Sequence, residues 1–569
     1  MRWLERIAFS PIAAVRPYLA LKGTLLFLAF DLWLTRASHA GRYGAGGFNV
    51  AHFGWLERVQ PTITPAVHLT VLFVTGALCI AIALAHRPPR WLIAAALVLH
   101  TWSWAMSMLD SYQHHYLLSL VLLAFAFFPP IDAERALLGS SADGEREPEP
   151  AAEEAPKDNR KKRGRRSTKS ASKSAEKRAR RAAEPTAGPR MSLLAPAPLI
   201  RAWGFVLLTG SIAIVYAYTA YSKSDPEWLS GAALRNTVHL GIDAPPDGVP
   251  DPIGPFRALL AMFGIEGERL WYAMGHGVVV VQIICAAGYL LVPIRDRMRN
   301  RWLDAFMVVA LLTALSFHLG AEHMELKVGW FSWYMVFYAF VFFLPARWLA
   351  IALRCVLPLR GARDGTASYG TEALLAWGLM ALVAILAGLR LDLWPLTALG
   401  AAIALARPLR WLLRERYLGS ADASRSAELG FDIAGVAAGL AGAIAVIEAA
   451  DLPGATIAFV ILMGALSLAG ASRLLPRRDG ARPPRVGVYG WSLALGCVAL
   501  LASLAWSDVR WDYYRNVGGD HRRRGEIEEA YVAYVLANRY APEGEDRRRQ
   551  EQEARAALEA AGLPVPEVP

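Results

Sequence analysis

Apolar residues in this chain come in long blocks, and polar residues are confined to the short stretches between them. Runs long enough to cross a hydrocarbon core of roughly 30 Å lie near 19–36, 66–86, 91–108, 115–129, 202–221, 270–293, 302–319 and 330–353. Five more lie near 372–389, 391–406, 430–449, 453–471 and 486–506, so the pattern predicts about thirteen spans. A backbone in lipid must satisfy its hydrogen bonds within each segment, and runs this long and this rich in Leu and Ala suit helices rather than barrel strands. The predicted fold class is an all-α polytopic membrane protein.

The polar connections carry the topology. Basic clusters occupy every second one: HRPPR at 86–90, the 131–200 segment, RDRMRNR at 295–301, RCVLPLRGAR at 354–363, RPLRWLLRER at 407–416 and RLLPRRDGARPPR at 473–485. By the positive-inside rule these connections are cytoplasmic, which puts the N-terminus inside and the C-terminal tail outside a cell membrane. The amphipathic start, MRWLERIAFSPIAAVRPYLALK, leads into the first span without a small-residue cleavage site and is expected to be retained. The chain then divides into a first membrane part at 1–130, a charged linker at 131–200, a second membrane part at 201–355, further spans at 356–507 and a short tail at 508–569. The linker is acidic first (EREPEPAAEEAPKD) and then basic (RKKRGRRSTKSASKSAEKRARR); with almost nothing apolar to bury, it is expected to be disordered. The tail, around GEIEEAYVAYVLANRYAPEGE, reads as one or two short charged helices too small for a core of their own, expected to dock on the membrane part.

Composition supports this division and narrows the function. The 569 residues are 55% hydrophobic and 19% charged, a segregation that a soluble domain would not show. The net charge of +11 comes mainly from loops flanking apolar runs, where anionic lipid and insertion topology account for it, so no nucleic-acid partner is expected. Cys79, Cys285, Cys355 and Cys497 lie in or beside apolar runs with no CxxC spacing, which predicts neither a disulfide framework nor a structural metal.

Chemistry-bearing side chains gather in three connections assigned to one side. MLDSYQHHYLLSL carries Asp110, Tyr112, His114 and His115. YAYTAYSKSDPEWLSGAALRNTVH places Lys223 just beyond an apolar run and before Trp228. SFHLGAEHMELKVGWFSWYMVF supplies His318 and His323, with Glu322, Glu325 and Lys327 nearby. Each has an ordinary reading: a lysine at a helix end snorkels to headgroups, and a histidine pair in a tight turn is solvated or hydrogen-bonded. His318 and His323 are poorly spaced for one helical face, GAEH is expected to break the helix between them, and no metal is predicted there. Asp31 and Arg36 read as an intramembrane polar group and an interfacial anchor. Convergence of three connections favours the functional reading.

Three segments resemble one family. YSKSDPEWLSGAAL is similar to the lysine-containing segment of the vitamin K-dependent γ-carboxylase and HTTM (horizontally transferred transmembrane) superfamily. DSYQHHYLLSLVLLAFAFFP resembles its histidine-bearing start of the fourth helix, and FHLGAEHMELKVGWFSWYMVFYAFVFFLP its FH segment and aromatic helix; the order is the family's, over residues 19–355. The resemblance implies that Lys223 is a catalytic base and that His114 and His318 are its companions. It implies as cofactor a reduced naphthoquinone (vitamin K or menaquinol) used with oxygen and carbon dioxide. It further implies a protein or peptide substrate on the outer face, beside membrane lipid. A lysine base needs a free amine at neutral pH, which burial favours and the nearby Asp225 and Glu227 oppose. Beyond residue 355 the carboxylases continue into a large soluble domain, whereas this chain continues into more spans. The alternative is therefore a noncatalytic scaffold or maturation factor of the same superfamily that docks a partner protein.

Overall fold

The computed structural model describes residues 11–43, 63–85, 88–105, 113–129, 197–246, 251–296, 300–324, 330–356, 507–541 and 547–568, with isolated positions at 131, 136–137, 249, 326 and between 385 and 401. The five spans expected in 356–507, nearly all of the linker, and the candidates Asp110, Tyr112, Glu325, Lys327 and Cys497 lie outside the described residues, as does the side chain of Cys355.

The first eight apolar runs fall on helices, the last of them on two. α1 is Val15–Phe30, continued by a π-helical stretch at Asp31–Arg36 and a 3-10 turn at Ala37–Arg42. Then come α2 (Pro65–Leu84), α3 (Arg90–Ala105), α4 (Gln113–Ala126) and α5 (Trp203–Ser222). Three short helices follow, α6 (Pro226–Leu229), α7 (Ala232–Thr237) and α8 (Gly254–Ala261), before the long α9 (Glu268–Arg295), α10 (Arg301–His323) and α11 (Trp330–Phe343). α12 is Ala346–Val356. Local signals set several starts: Thr64 accepts from the Val67 N–H ahead of Pro65, and Asn300 accepts from the Trp302 N–H.

Five described helices are long and apolar enough to cross a membrane: Val15–Arg42, Pro65–Ala83, Trp203–Ser222, Glu268–Arg295 and Arg301–His323. At 1.5 Å per residue, the 20-residue Trp203–Ser222 spans about 30 Å, the thickness of the hydrocarbon. Ile214, Val280, Ile283, Leu290 and Leu312 are exposed on these helices, an apolar outer surface suited to lipid. The protein is thus helical and membrane-embedded. The run at 330–353, expected as one straight span, instead bends by 106° between α11 and α12. Pro345 explains the break, because it lacks an N–H and pushes the preceding residue out of helical backbone. α12 then buries Leu349 and Ala350 and exposes Arg347 and Trp348, the two-sided pattern of a helix lying along an interface.

One end of the bundle is closed by a small antiparallel ribbon, β1 (Pro11–Ala13) with β2 (Leu199–Arg201). The ribbon is a departure from the all-α expectation, confined to three residues per strand. It brings the start of the first run and the end of the linker together. Beside it, Arg16 donates to both carboxylate oxygens of Asp296 at 2.9 and 3.0 Å and to the Val341 and Phe342 carbonyls at 2.7 and 2.9 Å. Lys22 reaches the Ile82 and Ala85 carbonyls at the end of α2, and Arg295 the Asp304 carboxylate and the Phe343 carbonyl. The connections after α2, before α5 and after α9 therefore share this ribbon end.

At the far end the tail meets the bundle. Helices occupy 507–524 (α13), Ile527–Tyr540 (α14) and Arg548–Ala560 (α15), one more than expected. Asp512, fully buried, accepts from the Arg42 N–H at 2.7 Å and pairs with the Arg42 side chain, which fixes α13 to the end of α1.

Candidate functional site

Lys223 caps α5, its N–H donating to the Thr219 carbonyl at 3.0 Å. The chain then turns sharply: the Asp225 carboxylate accepts from the Trp228 N–H at 3.0 Å, with Pro226 as the first residue of α6. This one-turn helix folds Trp228 back, and Lys223 Nζ lies 4.7 Å from its ring centre and 6.0 Å from that of Phe317 on α10. The two glycines of this region have steric reasons. Gly231 follows α6 at φ +78°, left-handed backbone that side chains resist, and a Cβ on Gly275 of α9 would overlap the Trp228 carbonyl oxygen. The turn carrying Trp228 is seated directly on α9.

The opposition expected between Lys223 and its acidic neighbours is settled by this turn. Asp225 is committed to capping α6, Glu227 is exposed, and among the described residues neither pairs with the amine. Lys223 is half-buried, and burial pushes its amine below the usual lysine range.

Tyr216 lies seven residues before Lys223, so both occupy one face of α5, with buried Ala220 between them. Its hydroxyl is 2.5 Å from His318 Nε2, and both side chains are buried, at 3% and 1% exposure. His318 touches the ring of Phe331, with centres 5.8 Å apart, and His114 approaches the same ring at 6.1 Å. The three residues singled out in the sequence are thereby joined: Lys223 to Phe317, Phe317 to His318 at 5.1 Å, and His318 through Phe331 to His114. Sequence reasoning missed Tyr216 and Phe331, although the seven-residue interval from Tyr216 to Lys223 was a usable signal. Beyond His114 the rings continue through His115, 3% exposed, to His100 of α3.

Two expectations are corrected. GAEH does not break a helix: α10 runs unbroken from Arg301 to His323, so the i, i+5 interval turns buried His318 and exposed His323 to different faces. Gly320 and Ala321 both pack inward and leave room for neighbours, which favours continuation over a break. Arg36 is not an interfacial anchor; it is buried and donates to the Ser103 hydroxyl at 3.1 Å, because the π-helical stretch rotates it inward. Asp31 opens that stretch, buried, and accepts from the Tyr334 hydroxyl at 3.4 Å. Among the described residues no group of three or more His, Cys, Asp or Glu side chains is arranged to hold a metal ion.

Chemically, the site offers an amine freed from ion pairing, aromatic faces around it, and a tyrosine–histidine pair one helical face away. Aromatic walls suit a flat apolar ring system, and the amine suits proton removal. No family model, no curated protein and no solved structure matches this chain.

Proposed function

We propose that this protein is a quinol-dependent membrane enzyme similar to the vitamin K-dependent γ-carboxylases, with Lys223 as the proton-abstracting base of a site on the outer membrane face. The single observation that supports this reading is the surroundings of Lys223: an amine set among rings, shifted by burial toward its neutral form, with Asp225 capping α6 and Glu227 exposed. The residues fit a naphthoquinol in kind, since Trp228 and Phe317 present aromatic faces beside the base. Such a quinol, when bound, would by its oxidation with molecular oxygen drive removal of a glutamate γ-proton, and carbon dioxide would supply the carboxyl carbon. Lys223 takes the quinol hydroxyl proton on Nζ. His318, held by Tyr216, and His114 beyond Phe331 position the ring system and exchange protons with it. About thirteen spans, with a cytoplasmic linker and an outside tail, complete the proposed architecture.

The test uses the full chain in lipid nanodiscs with a reduced naphthoquinone. Incorporation of labelled bicarbonate into an acidic peptide, or formation of quinone epoxide, is expected, with loss of both in Lys223→Arg and Lys223→Ala. His114→Ala and His318→Ala should reduce them less. Arginine keeps the charge and abolishes the base, so full activity in Lys223→Arg overturns the mechanism. Sidedness is tested separately: a cysteine introduced at Ser174 should resist an impermeant thiol reagent in intact cells, and its labelling would invert the topology.

A further inference from the structure

The tail holds a second constellation, separate from Lys223. α13 and α14 pack antiparallel: Arg510 donates to the Tyr540 hydroxyl at 3.0 Å near one end, and Gly518 lies against the ring of Tyr534 near the other. α15 returns along α14, burying Leu558 with Ala530 and Tyr531. Where the three helices meet is a cavity of about 180 Å³ lined by Arg515 and Asn516 from α13, Tyr534 from α14, and Arg547 and Gln550 at the start of α15. Every lining residue carries a hydrogen-bonding group, and none is acidic.

The charges there do not balance. The buried carboxylate of Asp512 is shared by Arg42 of the membrane part and by Arg515 at 2.8 Å, and it also accepts from the Asn516 amide. Arg515 is further fixed by stacking on Trp511, 4.0 Å from the ring centre. Arg547 adds another guanidinium, half-buried and without a carboxylate partner among the described residues. Tyr534 is 4% exposed, and its hydroxyl has no hydrogen-bond partner among the described residues.

We propose that this cavity binds a single carboxylate, with Arg547 and Arg515 supplying charge and the Tyr534 hydroxyl a directed hydrogen bond. A guanidinium fork matches a carboxylate in two-point geometry. The volume lies below the roughly 300–1,000 Å³ of small-molecule sites, so it admits one functional group and leaves the remainder of the ligand in solvent. Two sources present that group: a free small acid, or an acidic residue or C-terminus of a peptide docking at the far end of the bundle. The proposal stands without the carboxylase reading, since none of its residues touches Lys223.

Fluorescence anisotropy with the full chain in nanodiscs tests it, using a labelled pentapeptide that ends in glutamate. Saturable binding is expected. Replacing both its carboxyls by carboxamides should abolish it, and Arg547→Gln should weaken it about tenfold or more, the scale of one charge-assisted hydrogen bond. Tyr534→Phe, which keeps the packed ring, should weaken it severalfold, while Lys223→Arg should bind as the parent does. Acetate that competes at concentrations near the peptide's own affinity identifies a free small acid as the ligand; acetate that competes only in large excess identifies a peptide. Equal binding of the carboxamide peptide, unchanged binding by Arg547→Gln, or no saturation at millimolar peptide each overturn the proposal.

Discussion

Two charged groups at opposite ends of the helical bundle, Asp296 and Lys223, are handled in opposite ways. At the ribbon end the buried carboxylate Asp296 is answered from several sides: Arg16 makes four hydrogen bonds, two of them to Asp296, which also accepts from the Ala13 N–H. At the far end Lys223 faces rings, while the carboxylate two residues on is used to cap a helix. The titration shifts separate the ends again. Burial by itself would raise the Asp296 carboxyl, but the Arg16 guanidinium and its hydrogen bonds outweigh it and hold the group below the usual carboxylate range. At Lys223 burial lowers the amine. A charge that is paired from all sides fixes helices; a charge left beside aromatic faces stays available for chemistry.

The largest effect that tests this contrast belongs to Arg16. Arg16→Ala leaves Asp296 buried without its partner and two carbonyls without a donor, which is expected to destabilise the bundle by about 3–5 kcal/mol. Thermal unfolding in nanodiscs reads this directly. Asp296 also sets a pH window. A carboxyl whose folded pKa is depressed contributes stability that is present above its unfolded value of about 3.9 and is lost as pH falls through the folded value. The parent should therefore lose stability on acidification below about pH 4, and Arg16→Ala should lack that component. If Arg16→Ala unfolds with the parent, the ribbon-end clamp is ornamental and the contrast fails.

A middle-sized effect comes from Gly275, where the fold and the far-end site meet. Any side chain there collides with the Trp228 carbonyl, so Gly275→Ala should shift α6 and withdraw Trp228 from Lys223. Strain of about 1–3 kcal/mol is the expected scale for such overpacking. Quenching of tryptophan fluorescence by a lipid-borne quencher should change in Gly275→Ala, and it should not change further when Trp228→Phe is added. Unaltered quenching would mean that α6 yields elsewhere and that the seat on α9 does not position the lysine.

Much of the helical architecture was legible because hydrophobic blocks report apolar burial directly; the eight runs up to 353 fall on helices, and five described helices are long and apolar enough to cross a membrane. What escaped the pattern depends on local backbone geometry. Nothing in the apolar period announces the π-helical stretch at 31–36, which turns Arg36 inward, and the break at Pro345 sits inside an aromatic run whose hydropathy never falls. At the site, Lys223, His114 and His318 stood out by residue type, whereas Phe331, the ring between the two histidines, is one aromatic among many in its helix. Asp225 shows the same limit: beside a lysine in the sequence it was expected to oppose a free amine, but a carboxylate followed by Pro226 also begins a helix, and that is where its carboxylate is engaged.

The smallest stability effect is expected at Lys223, and its sign completes the comparison. An amine whose folded pKa lies below its unfolded value of about 10.4 disfavours folding while it is protonated in both states; stability rises as pH climbs from the folded value toward the unfolded one. That dependence runs at the alkaline end, opposite to the acid-side loss set by Asp296. Lys223→Met, similar in shape and uncharged, is therefore expected to be neutral or slightly stabilising at pH 7, within about 0.5 kcal/mol. A snorkelling anchor predicts the reverse, since removing its charge from the headgroups weakens the helix end. The chemical counterpart is amine labelling. Lys223 should react with an amine-selective reagent at lower pH than the chain's exposed lysines, resolved peptide by peptide in a mass spectrometer. Half-reaction at or above the pH of those lysines, together with destabilisation of Lys223→Met, would make Lys223 another clamp, and its opposition to Asp296 would disappear.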